Sequence, residues 1–125
     1  KTSHMAEDYF ANGGLTEGEL ITRICFEIPS QGIYLKHTRA ASTDAVVGVL
    51  VSRFEKRCRV AIVGAQRVAF LCPALEAALG TRFQSAVYDH SHIPDNMLRE
   101  KPDASLEYQL NLVEILCKRA INSCA

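Results

Sequence analysis

A chain of 125 residues, 48% of them hydrophobic, has the size and apolar content of one globular domain with a real core, which argues against two domains. Fourteen basic residues balance fourteen acidic ones, which excludes the broad positive footprint of a non-specific nucleic-acid binder, so any anion site must be local. No apolar stretch approaches the roughly 20 residues that cross a bilayer, and the start of the chain lacks the apolar centre of a signal peptide, so a cytoplasmic protein is expected, with neither membrane nor nucleic acid as partner.

Residues 1–5, KTSHM, resemble the scar of a cleaved affinity tag and are set apart from a single domain over 6–125. From Leu20 the chain turns strand-like, with Ile21, Ile24, Phe26 and Ile28 as its apolar members and Pro29 as the stop, and a polar tether feeding one edge strand is expected. Ala45 to Phe54 is almost wholly apolar and rich in β-branched residues, as in a strand whose two faces are both covered. The polar turn EKRC at 55–58 leads into a second β-rich run, Arg59 to Val68, and a hairpin of the two is the most economical pairing. Pro73 stands where a helix can begin and Gly80 where it can end; a weaker helical stretch is expected over Gln84 to His92. Leu106, Leu110, Val113, Cys117 and Ala120 or Ile121 recur at spacings of three and four, so the last segment is an amphipathic helix capped by Asp103 or Ser105. Three strands followed by about three helices make an α+β domain, one antiparallel sheet against one helical layer.

Little in this order carries recognisable chemistry. The five cysteines are widely spaced, without a CxxC pair, and read as reduced, mostly buried thiols. Gly64 in GAQR has no companion glycine at nucleotide-loop spacing and marks a bulge or tight packing. His90, His92, Asp89 and Asp95 lie in the turn-rich DHSHIPDN, which reads as a solvated loop rather than a metal site. Ser105, Glu107 and Tyr108 are accounted for by capping and packing, an inward Tyr108 hydroxyl needing a partner. What stands out is YLKHTRAASTD, where Lys36, His37 and Arg39 crowd the entrance to the apolar run. They are either solvated or meet a phosphate, a carboxylate or the electron-rich edge of a cofactor, and Asp44 either ends that loop or pairs with Arg39.

Four blocks in this order, GELITRICFEIP, YLKHTRAASTDAVVGVLV, RVAIVGAQRVAFLCPALEAAL and DASLEYQLNLVEILCKRAI, resemble the carboxy-terminal domain of the FAD-binding subunit of molybdenum hydroxylases, the xanthine dehydrogenase and carbon monoxide dehydrogenase relatives. The resemblance runs from about Glu7 to Ile121 and implies a three-stranded antiparallel sheet covered by three helices, lying against a larger amino-terminal FAD-binding domain. It implies that Lys36 approaches the flavin ring, where a cation stabilises negative charge gained on reduction, and that His37, Arg39 and Asp44 shape the loop where the electron acceptor meets it. Partner domains or subunits would carry molybdopterin and iron–sulfur clusters, and the domain alone would not turn over. Gln109 follows Tyr108 where members of the family usually have arginine.

Two other readings remain open. The domain is a non-catalytic interaction module with a solvated cationic loop, or a stand-alone enzyme with an enclosed pocket of titratable groups. An uncovered docking face also makes a homodimer of the isolated domain a possibility to test.

Overall fold

The computed structural model describes residues 2–40, 43–66 and 68–125, with only the backbone described at Asp95; Lys1 of the tag-like start, Ala41 and Ser42 of the cationic loop and Arg67 of GAQR lie outside them. A short helix α1 (Ala6–Ala11) precedes a four-stranded sheet, β1 (Gln31–His37), β2 (Val47–Arg53), β3 (Cys58–Val63) and β4 (Phe70–Leu71); then come α2 (Pro73–Thr81), three 3-10 turns and α3 (Leu106–Ser123). The sheet is antiparallel throughout in the order β1-β2-β3-β4. The α+β class read from the sequence is the class observed.

Parity along β2 sets the layers. Val47, Val49 and Val51 are wholly buried, as are Val60 and Ile62 beside them on β3, and they share one core with Leu75 and Leu79 of α2 and Val113, Cys117, Ala120 and Ile121 of α3. The period of two on the strands meets the period of three to four on the helices, each element turning its apolar side to the other. Gly48, Leu50 and Ser52 alternate onto the opposite face, where Leu50 is 38% exposed. The helices pack the first face of β2, and on the second Gly48 and Ser52 are also buried with Leu50 left open, so the expected cover of both faces is nearly complete.

The expected hairpin forms, with Arg53 opposite Cys58 and the turn closed by Phe54 N–H donating to Arg57 O at 2.8 Å. The first strand is different. Leu20 to Ile28 lies outside the sheet with Leu20, Phe26 and Ile28 more than four-fifths exposed, and Gln31–His37 pairs with β2 in its place. Its Ile33 and Leu35 alternate with Tyr34 and Lys36, so β1 can lay an apolar edge on the core while its other side stays polar. The Leu20–Ile28 pattern has no strand partner among the described residues. A fourth strand of only two residues extends the far edge, and Gln84 to His92 forms two 3-10 turns rather than one helix.

α2 begins at Pro73, but Gly80 falls inside it and Arg82 is the residue beyond its end. Glu76 in its first turn completes the sheet. β4 stops where Cys72 N–H donates to Val60 O (3.0 Å); the Cys72 carbonyl then turns into α2, accepting from Glu76 N–H, and the Glu76 carboxylate takes the Val60 N–H at 2.9 Å. At the other end of the layer, Ser105 caps α3 by accepting from Tyr108 N–H at 3.2 Å, and Arg53 donates to the Cys124 carbonyl at 3.4 Å, a cation at the negative end of the helix. Cys58, Cys72, Cys117 and Cys124 are buried free thiols and Cys25 is exposed. Burial pushes Cys72 and Cys117 up to about 12, which keeps them protonated and unreactive. Among the described residues no helix is long and apolar enough to cross a membrane.

Two substitutions test this layering. Ile62→Ala should lower unfolding stability by about 2–5 kcal/mol because it leaves a cavity between the sheet and the helices, read as a lower urea midpoint with an unchanged slope. Glu76→Ala should cost about 1–3 kcal/mol by stranding the Val60 N–H, with Glu76→Gln, which keeps an acceptor, costing less.

Candidate functional site

The sheet face away from the helices carries the candidate site. Lys36 lies opposite Gly48, which lies opposite Val63, so the middle of this row has no side chain. Tyr34 fills part of the gap: a methyl group at Gly48 would come within 2.5 Å of the Tyr34 hydroxyl oxygen and 2.7 Å of Val63 Cγ2. A cleft of about 800 Å³ opens here, walled by Tyr34 and Lys36 of β1, by Thr43, Asp44 and Ala45 before β2, by the residues after β3 and by Arg99, Glu100, Lys101 and Pro102 before α3.

The floor of the cleft is built by close backbone approach. Gly64 has φ +82°, and a Cβ there would stand 2.5 Å from the Ala45 carbonyl oxygen, so only glycine lets the chain leaving β3 lie against the chain entering β2. The half-buried Lys101 ammonium donates to the carbonyls of Gly64 and Val46, fastening both chains to the segment before α3. That segment is clipped in turn. Arg99 N–H donates to Ala65 O (3.2 Å), Lys101 and Ala104 exchange backbone bonds, and Gln109, with no exposed surface, donates from Nε2 to the Arg99 and Ala104 carbonyls, both at 2.8 Å. Where the resemblance leads one to expect an arginine and an ion pair, Gln109 is a buried bracket, with Oε1 left without a partner.

The four residues singled out in the sequence separate. Lys36 and Asp44 line the cleft. His37, one step along β1, points to the other side of the sheet, where its Nε2 lies 3.1 Å from the Tyr108 hydroxyl of α3 with the rings edge to face. Tyr108 is thus half-exposed and finds the partner its hydroxyl needs. Arg39 pairs with Asp103 at 3.6 Å rather than with Asp44, both partners being about half exposed, and pairs of that kind add little stability. Parity alone explains the split between Lys36 and His37, since successive side chains leave a strand on opposite faces.

The histidine-rich turn is locally satisfied. Asp89 accepts from Ser91 N–H at 2.8 Å, Asp89 N–H donates to His92 Nδ1 at 3.2 Å, and His90 Nε2 lies 2.5 Å from Glu114, which also accepts from Lys118. Hydrogen bonds from Lys118 and His90 hold the Glu114 carboxyl below its ordinary range. No group of three or more potential metal ligands occurs among the described residues. A second, smaller cleft of about 360 Å³ lies between the β2–β3 turn and α2, lined by Lys56, Arg57, Arg59 and Glu76.

Lys101, Arg99 and the bracketing role of Gln109 escape sequence reasoning, because a lysine or arginine in a turn-rich loop has the same signature as a solvated one. The tight packing read at Gly64 is observed. Gly64→Ala should therefore destabilise the domain by about 1–3 kcal/mol from backbone conformation alone, with a further loss from the contact with Ala45, measured by urea unfolding. Comparison of the chain with protein-family models, curated proteins and solved structures gives no match.

Proposed function

We propose that this chain is the carboxy-terminal domain of the FAD-binding subunit of a molybdenum-hydroxylase-type dehydrogenase, forming one wall of a flavin site in a cytoplasmic enzyme. The observation that carries the reading is the position of Lys36, exposed on the helix-free sheet face and lining an open cleft with Asp44. The order of the four sequence blocks supports it, as does the α+β architecture.

The residues present fit one edge of FAD and no more. Lys36 makes no ion pair among the described residues, so its ammonium is free to meet a ligand, and Tyr34 and Gly48 leave a shallow hollow beside it. The chain has no glycine-rich loop for the pyrophosphate, which the preceding domain would supply. FAD, when held between the two, would carry electrons from iron–sulfur clusters and a molybdopterin centre on partner subunits to an acceptor. The part of this chain is electrostatic: Lys36 holds a positive charge where the ligand becomes negative on reduction. Asp44 borders the approach to it, and His37 and Arg39 act from outside the cleft, through Tyr108 and Asp103, by holding the β1 end of the loop.

A second reading, a non-catalytic interaction module, is favoured by Leu20–Ile28. This extended segment exposes Leu20, Ile24, Phe26 and Ile28, its Glu27 pairs with Arg57 of the β2–β3 turn, and β1, which follows it, is an edge strand of the sheet.

FAD titration into this chain and into the chain joined to its preceding domain separates the two. Under the flavin reading only the joined form binds tightly, and Lys36→Ala weakens binding or lowers the flavin potential. Failure of the joined form to bind FAD at all would leave the interaction module.

A further inference from the structure

We propose that the cleft between β1 and the segment before α3 is a binding site for a small oxyanion, a phosphate or a carboxylate, with Lys101 supplying a fixed charge in its floor and Lys36 and Arg99 closing on the ligand from opposite walls. The proposal needs no flavin and stands whether or not the flavin reading does.

Lys101 is the starting point. Its ammonium is half-buried and bonded to two backbone carbonyls, those of Gly64 and Val46, and it makes no ion pair among the described residues. Carbonyl dipoles orient an ammonium but do not cancel its charge, so a positive centre with no ion-pair partner among the described residues lies at the base of the cleft. Lys36 and Arg99 line the same cleft and likewise make no ion pair among the described residues. The three cations face two carboxylates, Asp44 and Glu100, both exposed, which leaves the cleft with an excess of one positive charge. Low-dielectric walls concentrate such a field, and a concave site does so more than a flat one.

The two walls differ in what they offer. Lysine is a point charge on a flexible stem, and arginine is a planar fork that can take two oxygens of one oxyanion. The floor is the rigid part. Lys101 is held between β2 and β3 by the Gly64 approach, and its segment is held by Ala65 and Gln109, so the fixed charge does not have to be ordered when a ligand arrives.

The test is titration of inorganic phosphate, with acetate in parallel, into the 125-residue chain at about 20 mM salt, where screening is weak, followed by amide NMR shifts. Saturable shifts confined to residues 34–36, 43–46, 63–66 and 99–102 are expected, with the tighter of the two anions naming the preferred group. Lys36→Ala and Arg99→Ala, both at exposed positions, should each weaken binding at least about fivefold, a change of roughly 1 kcal/mol. Lys101→Arg should retain binding and Lys101→Met should lose it; the exposed pair keeps the test decisive should Lys101→Met fail to fold. Absence of saturable shifts with either anion up to about 10 mM, a range in which the titrant itself adds little screening, or undiminished binding in both wall variants, overturns the proposal.

Discussion

Val47, Val49 and Val51 of β2 are sealed against the face of α3 that carries Val113, Cys117, Ala120 and Ile121, and the position of nearly every other element follows from this contact. The strand offers a row of small β-branched side chains and the helix a row of side chains of similar size, so the two can approach closely along their length. The Cys124 thiol reaching toward the Val51 carbonyl and Arg53 on the last carbonyls mark where that approach ends. Once α3 lies on this face, the other face of the sheet is left to the loops, and the cleft opens there.

The open face is mixed, with Lys36 and Arg59 among Tyr34, Leu50 and Val63, for a reason of parity rather than composition. Each strand gives its apolar positions to the core and keeps what remains: Tyr34 and Lys36 from β1, Gly48 and Leu50 from β2, Arg59 and Val63 from β3. The cleft forms because the middle of one cross-strand row is a glycine and because Gly64 lets two backbone segments touch. A tie of the same kind recurs on the far edge, where Glu76 replaces a missing ladder partner for Val60. In both places a charged side chain, Lys101 or Glu76, finishes a backbone pattern that the strands by themselves leave incomplete.

Leu20–Ile28 is where local pattern and tertiary structure part company. Its apolar residues read as a strand, and the pattern is real, but a strand needs an edge and a surface to lie on. The residues that follow Pro29 take the place beside β2, since Ile33 and Leu35 reach the core from there. The segment keeps a strand's composition without a strand's partner among the described residues, a feature that the interaction reading draws on.

The amino-acid sequence by itself determined the α+β class, the β2–β3 hairpin, the start of α2 at Pro73 and the long final helix with a cap at Asp103 or Ser105, of which the structure takes Ser105. These depend on periodicity, turn residues and capping, which act over a few neighbouring positions. It also marked Lys36 and Asp44 as residues worth following, and the tight packing at Gly64. Only the tertiary structure decided that His37 turns away from Lys36 to Tyr108, that Arg39 meets Asp103, that Gln109 is a buried bracket and that Lys101 lies beneath the cleft. Most of those contacts join residues dozens of positions apart, the Gln109 bracket spans a loop of irregular backbone, and no local pattern encodes which carbonyl a lysine or a glutamine will find.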